Sequence, residues 1–508
     1  PESRSPVADF YRGKVVLLTG ATGFLGKLYM AKLAQLRVAE LIVIVREKKG
    51  VRSKERIERL MEKEPVLKIF RENKDNCRGK VTVVQGDIEA DGVGLSEEDA
   101  KHIKERVEIV LHAAADVRFD ETLIKAVLAN VKGTWEMLNL CVEIRNLKLM
   151  VYISTAYANC VHKPAYERFY EPPADPLSIL KLVGNLDEYE CDIITPMIIR
   201  PWPNTYTYAK ALAENLIKQF YHRMNMVIVR PSIVATTMYD PIPGWTDNLY
   251  GMNGVIVGAG CGILRVLHTA DDCNCDVVPA DFVVNGTLVA AHRAFERYQT
   301  EPRSCDPDRA EIYHLASGVD NPLTNGQIQR FIKTIGEEHP PLKSLWIGTY
   351  ISTRYARVAM LLTIFLHFFP GIVVDFALRM KGKKSRLMKI YRKVRKFTNF
   401  IAFFATQEFV FENSKMRRIF DSMGPGDRAQ FQCDMKTITW ADFFNVYCPG
   451  LKLYMLNEKP STWEAAKRRY DRLKFVSIVL IKLVLAYVVF VCIRQLIVST
   501  CPYLCQLM

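Results

Sequence analysis

The sequence predicts a doubly wound α/β fold: a parallel Rossmann sheet with a smaller substrate lobe, a helical C-terminal domain and a membrane anchor at the C-terminal end. Three observations predict it. Short apolar runs alternate with helical stretches through the first half, a glycine-rich crossing follows the first run, and the sequence turns aromatic, basic and helical from about residue 350.

The run KVVLLTG at 14–20 is apolar and ends in glycine, which reads as a strand buried on both faces. ELIVIVR (40–46), KVTVVQGD (80–87), VEIVLHAA (107–114), LMVYIST (149–155) and MVIVRP (226–231) repeat the pattern, with helices expected over 28–36 and 205–221. Residues 160–203 break the rhythm with proline, tyrosine and acidic residues and read as an insertion. Gly-rich and Pro-rich turns from 232 to 346 suggest the smaller lobe. The expected organisation is a dinucleotide-binding reductase domain over 1–346, a helical domain over 347–460, and a basic flank with a hydrophobic tail over 461–508.

Of the formal charge of +14, ten cations fall between 378 and 396 with no acid among them, which leaves +4 for everything else. So local a patch suits lipid head groups or substrate phosphates, and no nucleic-acid partner is expected. The 13 cysteines are scattered; Cys273 and Cys275 have no second pair to complete a zinc site, so reduced thiols in a reducing compartment are expected and no metal. The polar residues before Lys14 contain no secretory signal.

TGATGFLG sets Gly20, Gly23 and Gly26 between a strand and a helix, where the backbone can approach a pyrophosphate and the helix N-terminus supplies N–H donors. Arg46 at the end of the second strand favours a 2′-phosphate, so the expected cofactor is NADPH. Asp87 after the third strand is placed to meet the adenine. Ala113, Ala114 and Ala115 after the fourth are small enough to let a cofactor lie close.

Tyr206 and Lys210, four apart on a helix, share one face. An ammonium near a phenol favours its ionised form, making Tyr206 a workable proton donor to an oxyanion created by hydride attack. Tyr208 lies only two residues from Lys210 and points elsewhere. Thr155, with Ser154 as second choice, ends the fifth strand where a hydroxyl can hydrogen-bond a substrate carbonyl.

These residues, with HAAADVRFDE (112–121), VYISTAYAN (151–159), NTYTYAK, IVRPSIV (228–234), PGWTDNLYG and DVVPADFVVN (276–285), resemble the eukaryotic fatty acyl-CoA reductases, the insect branch above all; the C-terminal third resembles that family's male-sterility-type domain. The resemblance implies reduction of a long-chain acyl-CoA to a primary alcohol with two NADPH, through a bound aldehyde. The full candidate cofactor set is then Thr19, Gly20, Thr22, Gly23, Phe24, Leu25 and Gly26, Arg46 and Lys48, Asp87 and Ile88, the three alanines, Asn130, Tyr206 and Lys210, and Pro231, Ser232 and Ile233. The alternatives are a sterol or nucleotide-sugar dehydrogenase, which leaves the C-terminal third unaccounted for, or a non-catalytic membrane lipid sensor, which need not keep Tyr206, Lys210 and Thr155.

Residues 475–493 are largely apolar, with Lys482 the one charge, and long enough to cross a bilayer, while Lys467, Arg468, Arg469, Arg472 and Lys474 just before them keep the catalytic part cytosolic. A tail anchor in the endoplasmic reticulum or peroxisomal membrane is expected. Residues 358–377 are also apolar but contain His367, Pro370–Gly371 and Asp375 between basic flanks, which suggests a re-entrant or interfacial segment in contact with membrane lipid.

Overall fold

The computed structural model describes residues 4–73, 77–301, 309–384 and 386–500. The six apolar runs become adjacent parallel strands: β1 (Val15–Thr19), β2 (Glu40–Val45), β3 (Val81–Gln85), β4 (Ile109–His112), β5 (Leu149–Ile153) and β6 (Met226–Pro231). A seventh, β7 (Ile312–Leu315), completes the sheet in the order β3-β2-β1-β4-β5-β6-β7, every neighbouring pair parallel. Helices cover both faces, which is why β1, β4, β5 and β6 are buried along their whole length. The order reverses between β1 and β4, which opens a crevice at their C-terminal ends.

The stretch 232–346 is only partly a separate lobe. Helix Ala280–Thr300 buries Val283, Leu288 and Ala291 in the cluster that holds Val16, Leu18 and Val229 of the sheet, and β7 is itself a sheet strand. A four-residue strand carrying His314 has too short and too polar a pattern to stand out in the sequence. His314 is tolerated in the core because its N–H donates to Glu167 (2.9 Å) and its Nδ1 lies 2.6 Å from the Glu412 carbonyl.

The insertion 160–203 folds into helices Pro176–Gly184 and Glu188–Ile198, the second started by a reciprocal Asp187/Glu190 capping box. Their Ile179, Val183 and Cys191 share one apolar cluster with Tyr208 and Leu212. Beyond 347, helix Trp440–Tyr454 contributes Phe443, Phe444 and Tyr447 to the sheet's own core, and Tyr447 Oη donates to Asn253 (2.6 Å). The expected boundary at 346/347 therefore does not separate two cores. Two helices, Ala356–Met380 and 460–497, are long and apolar enough to cross a membrane.

Candidate active site

The crevice between β1 and β4 is shaped by two glycines. Gly20 has φ +77°, and a Cβ there would lie 2.7 Å from the Ala114 nitrogen; a Cβ at Gly26 would lie 2.0 Å from the Gly20 carbonyl oxygen. The turn is closed by Gly23 N–H donating to Gly20 C=O (2.8 Å). Gly23 caps helix Phe24–Gln35 without any side-chain acceptor, so the N–H groups of the first turn face outward for an anionic ligand. A dinucleotide pyrophosphate fits this cradle, and any side chain at Gly20 or Gly26 would close it. Gly26→Ala is expected to weaken dinucleotide binding by more than about tenfold, at least ~1.4 kcal/mol, read by titration of the purified protein.

Other members of the expected set do different work. Thr19 is buried, its hydroxyl held between His112 Nδ1 (2.8 Å) and the Ala114 N–H (3.2 Å), so it fixes the β4 loop and does not face the crevice. Asn130 is likewise buried and pairs both ends of its amide with the Asp116 backbone (2.9 Å each). Thr22 and Leu25 sit half-exposed beside the turn, Phe24 stacks on Trp245 (5.3 Å), and Ile88 packs against Gly133. Ala113, Ala114 and Ala115 are half-exposed along the crevice. Pro231 ends β6, and the N–H groups of Ser232 and Ile233 are used on Leu315 (3.0 Å) and Asp276 (3.1 Å).

At the end of β2, Arg46 is exposed and reaches Asp87 (3.5 Å) and Glu89 (3.4 Å) across to the end of β3. Lys48 is exposed in a tight turn bridged to Val51. Arg56, which belongs to no motif in the sequence, donates from its guanidinium to the Arg46 carbonyl and makes a second cation at the same place. Its position in the first turn of helix Ser53–Lys63, directly after the β2 loop, was the available signal.

The reaction centre lies one strand further along. Asn204 caps helix Thr205–Phe220 through its side-chain acceptor for Thr207 N–H (2.9 Å), which sets Tyr206 in the first turn and Lys210 one turn later. Tyr206 is half-buried beside Phe119, ring centroids 5.8 Å apart. Burial raises its phenol above the usual value and the nearby Thr155 hydroxyl opposes the rise, so Tyr206 carries its proton at neutral pH.

Thr155 and Ser154 part ways. The buried Thr155 hydroxyl accepts from Tyr157 N–H (3.2 Å) and donates weakly to Pro231 C=O (3.4 Å). Ser154 Oγ turns inward and donates to Glu214 at 2.6 Å. Glu214 also accepts from Asn159 (3.0 Å) and from two nitrogens of the fully buried Arg230 (2.9 and 2.7 Å). Ser154 is thereby committed to a buried network and is unavailable to a substrate carbonyl. Glu214 stands one turn beyond Lys210 on the same helix face; nothing in the sequence marks it, because its partners are remote in the chain.

Lys210 is buried and donates to Tyr152 Oη (3.1 Å) and Ile153 C=O (2.8 Å). No direct hydrogen bond joins it to Tyr206 among the described residues; the ammonium is held at the end of β5, below the crevice floor. Burial pushes Lys210 down to about 7, with the Glu214 carboxylate opposing. Since the folded value lies below that of the unfolded chain, the ammonium is present below about pH 7 and lost above it. Activity that needs the charge is expected to fall as pH rises through about 7, as a descending limb in kcat/KM. Fold stability is expected to rise with pH over the interval above that value, where the unfolded chain binds the extra proton.

A parallel sheet with this strand order, a glycine cradle at the switch point and a Tyr/Lys helix beside β5 define a nicotinamide-dinucleotide-dependent reductase of the short-chain dehydrogenase type. The male sterility protein family profile matches residues 18–287, and a second profile of that description matches 366–458. Fatty acyl-CoA reductase wat of Drosophila melanogaster is 37% identical over 475 residues, 93% of this chain and 90% of that protein. Fatty acyl-CoA reductase 1 of Rattus norvegicus is 34% identical over 472 residues, 92% and 90% of the two chains. The chain belongs to the fatty acyl-CoA reductase family. Among solved structures, the terminal R domain of the myxalamid PKS-NRPS pathway shares the fold at TM-score 0.58 and 18% identity, over 88% of this chain and 92% of that one. The R domain of a nonribosomal peptide synthetase from Mycobacterium tuberculosis does so at TM-score 0.54 and 17% identity, over 89% and 95%.

Proposed function

We propose that this protein reduces long-chain fatty acyl-CoA to a primary alcohol with NADPH, releasing CoA and keeping the intermediate aldehyde bound. The observation that carries the reading is the placement of Tyr206 in the first turn of a helix whose Lys210 is tied to the end of β5, beside Thr155 and the glycine cradle, in a chain alignable over more than nine-tenths of its length with the named acyl-CoA reductases. NADPH would be held by the Gly20–Gly26 turn and by Arg46 and Arg56, and supplies a hydride at each of two steps. Thr155 and Tyr206 position the thioester carbonyl, and Tyr206 gives its proton to the oxyanion of the hemithioacetal. Collapse of that adduct returns its hydroxyl proton to the Tyr206 oxygen and expels CoA thiolate. The same two side chains then hold the aldehyde oxygen and protonate the alkoxide. Lys210 supplies positive charge beneath the site that stabilises the phenolate left when Tyr206 gives up its proton.

Mass-spectrometric product analysis after incubation with NADPH and a mixture of acyl-CoA lengths tests this. Primary alcohols and free CoA are expected; turnover of sterols or nucleotide sugars with no acyl-CoA reduction would contradict it. Arg46→Ala is expected to raise the KM for NADPH about 10–100-fold, the size of one or two lost charge-assisted hydrogen bonds of ~1.5–3 kcal/mol, with little change for NADH.

The tail helix supports attachment to a membrane, with the catalytic body on the cytosolic side. Its first turns are held on the body by Lys474–Glu337 (2.7 Å) and by Tyr470 Oη accepting from Gly348 N–H (3.0 Å). From Phe475 onward large apolar side chains such as Phe475, Tyr487 and Phe490 are exposed.

A further inference from the structure

Helix 356–380 is built inside out. Leu361, Phe365, Phe369, Ile372, Phe376 and Met380 form an outward stripe, and each is more than half exposed. The polar and small residues of the same helix face the protein. His367 Nε2 accepts from the Arg265 backbone N–H (2.9 Å) and its ring stacks on Tyr391 (5.0 Å). Gly371 lets Tyr391 and Met388 approach so closely that a Cβ would lie 2.9 Å from either. Asp375 accepts from the N–H groups of Leu387 and Met388 (3.0 Å each) and so caps the helix that follows. An apolar face of this size on the outside costs solvation unless something apolar covers it.

Length alone would let this helix span a bilayer: 25 residues rise about 37 Å. The next element excludes a crossing. Helix Leu387–Ala405 turns back to the catalytic body, where Lys396 pairs with Asp120 (2.9 Å) and Phe404 packs on Phe119 (5.7 Å) and edge-on to Tyr157 (5.2 Å). Its first ten residues carry Lys389, Arg392, Lys393, Arg395 and Lys396, which could not pass through hydrocarbon. The chain therefore leaves and re-enters the body on one side. A groove of about 680 Å³ between the two helices joins Phe368, Ile372 and Met388 to Arg392 and Arg395, a lining that matches an anionic amphiphile. The root of this hairpin also meets the root of the tail: Arg265, which holds His367, lies over the Trp346 ring (4.7 Å), two residues from the Gly348 N–H that binds Tyr470.

We propose that the hairpin 356–405 is a monotopic membrane dock. The stripe from Leu361 to Met380 lies in one leaflet, the cations of 383–393 lie among anionic phospholipid head groups, and the second helix leads from that surface to the reaction centre through Phe404, Phe119 and Tyr206. The occupant is an anionic bilayer surface, chosen over a second copy of the chain because the cations of 383–393 are exposed beside the apolar stripe and that stretch contains no acidic residue. The path to Tyr206 rests on the acyl-substrate reading above; the dock itself does not, and its test uses no turnover.

Full-length Phe365→Cys and Lys384→Cys proteins in sealed microsomes, with the catalytic side outward, are treated with a membrane-impermeant maleimide and read peptide by peptide, with Cys77 on the body as reference. Both substituted positions are exposed, so folding is preserved. Labelling at 384 equal to Cys77, with none at 365 until the membrane is dissolved and the chain denatured, is expected. Protection of 384 until lysis would show a crossing, and labelling of 365 in sealed microsomes would show a bare face; either overturns the dock. A Phe365→Trp protein in nanodiscs of brominated phosphatidylcholine with phosphatidylserine separates lipid from a second copy. Quenching of the added fluorescence is expected, stronger with phosphatidylserine than without, and that difference is expected to vanish in a Lys384→Gln, Lys389→Gln, Lys393→Gln background. Unquenched fluorescence would assign the face to self-association, and quenching indifferent to phosphatidylserine would remove the head-group role of the cations.

Discussion

Tyr206→Phe is expected to lower kcat about 10²–10⁴-fold while leaving dinucleotide affinity within about threefold, the range lost when a positioned general acid is deleted. The substitution removes one oxygen from a half-buried ring beside Phe119 and touches neither the glycine cradle nor Arg46. Binding and chemistry should therefore separate. Burial keeps the phenol protonated, and phenylalanine has no proton to give. Single-turnover kinetics with saturating NADPH and acyl-CoA read the effect. Thr155→Ala should lose about 10–100-fold by removing one hydrogen bond to the substrate carbonyl, whereas Ser154→Ala, whose hydroxyl serves Glu214, should stay within about tenfold of the parent.

Glu214→Ala is expected to cost about 3–5 kcal/mol of stability, because it leaves Arg230 charged, fully buried and without its carboxylate. Set against the ~5–15 kcal/mol that holds a typical domain together, this is enough to unfold much of the protein at physiological temperature. The network ties four chain regions at the floor of the reaction centre: Ser154 and Asn159 after β5, Glu214 on the Tyr/Lys helix, Arg230 in β6, and through Arg230 the carbonyls of Tyr166 (3.0 Å) and Arg168 (2.9 Å). Chemical denaturation in detergent should show the midpoint falling sharply for Glu214→Ala and much less for Ser154→Ala. A small loss for Glu214→Ala would mean that Arg230 finds water or another acceptor.

The sheet was legible wherever burial on both faces wrote a continuous apolar run, as in β1, β4, β5 and β6. β7 was not, because four residues interrupted by His314 carry almost no periodic signal. Gly20 and Gly26 were legible because close backbone approach admits one residue type, and Tyr206 with Lys210 because helix spacing alone puts them on one face. The division of labour between Ser154 and Thr155 was not, since it is decided by Glu214, sixty residues away from Ser154. Thr19 and Asn130 show the same limit: a polar side chain beside a cofactor turn can serve the backbone of the loop as readily as the ligand, and only the fold says which. The anomalies in 358–377 were legible as anomalies. Their reason, an inward polar stripe that pins an outward apolar one, needed Arg265 and Leu387 in place.

The most direct measurement is the structure of the protein with NADP⁺ and a non-reducible acyl-CoA analogue. Tyr206 Oη is expected within about 3.2 Å of the analogue's carbonyl oxygen, with Thr155 on the same oxygen and the nicotinamide ring over the end of β5. A carbonyl oxygen held by other groups, with Tyr206 still turned onto Phe119 and out of its reach, would contradict the proposed role of Tyr206.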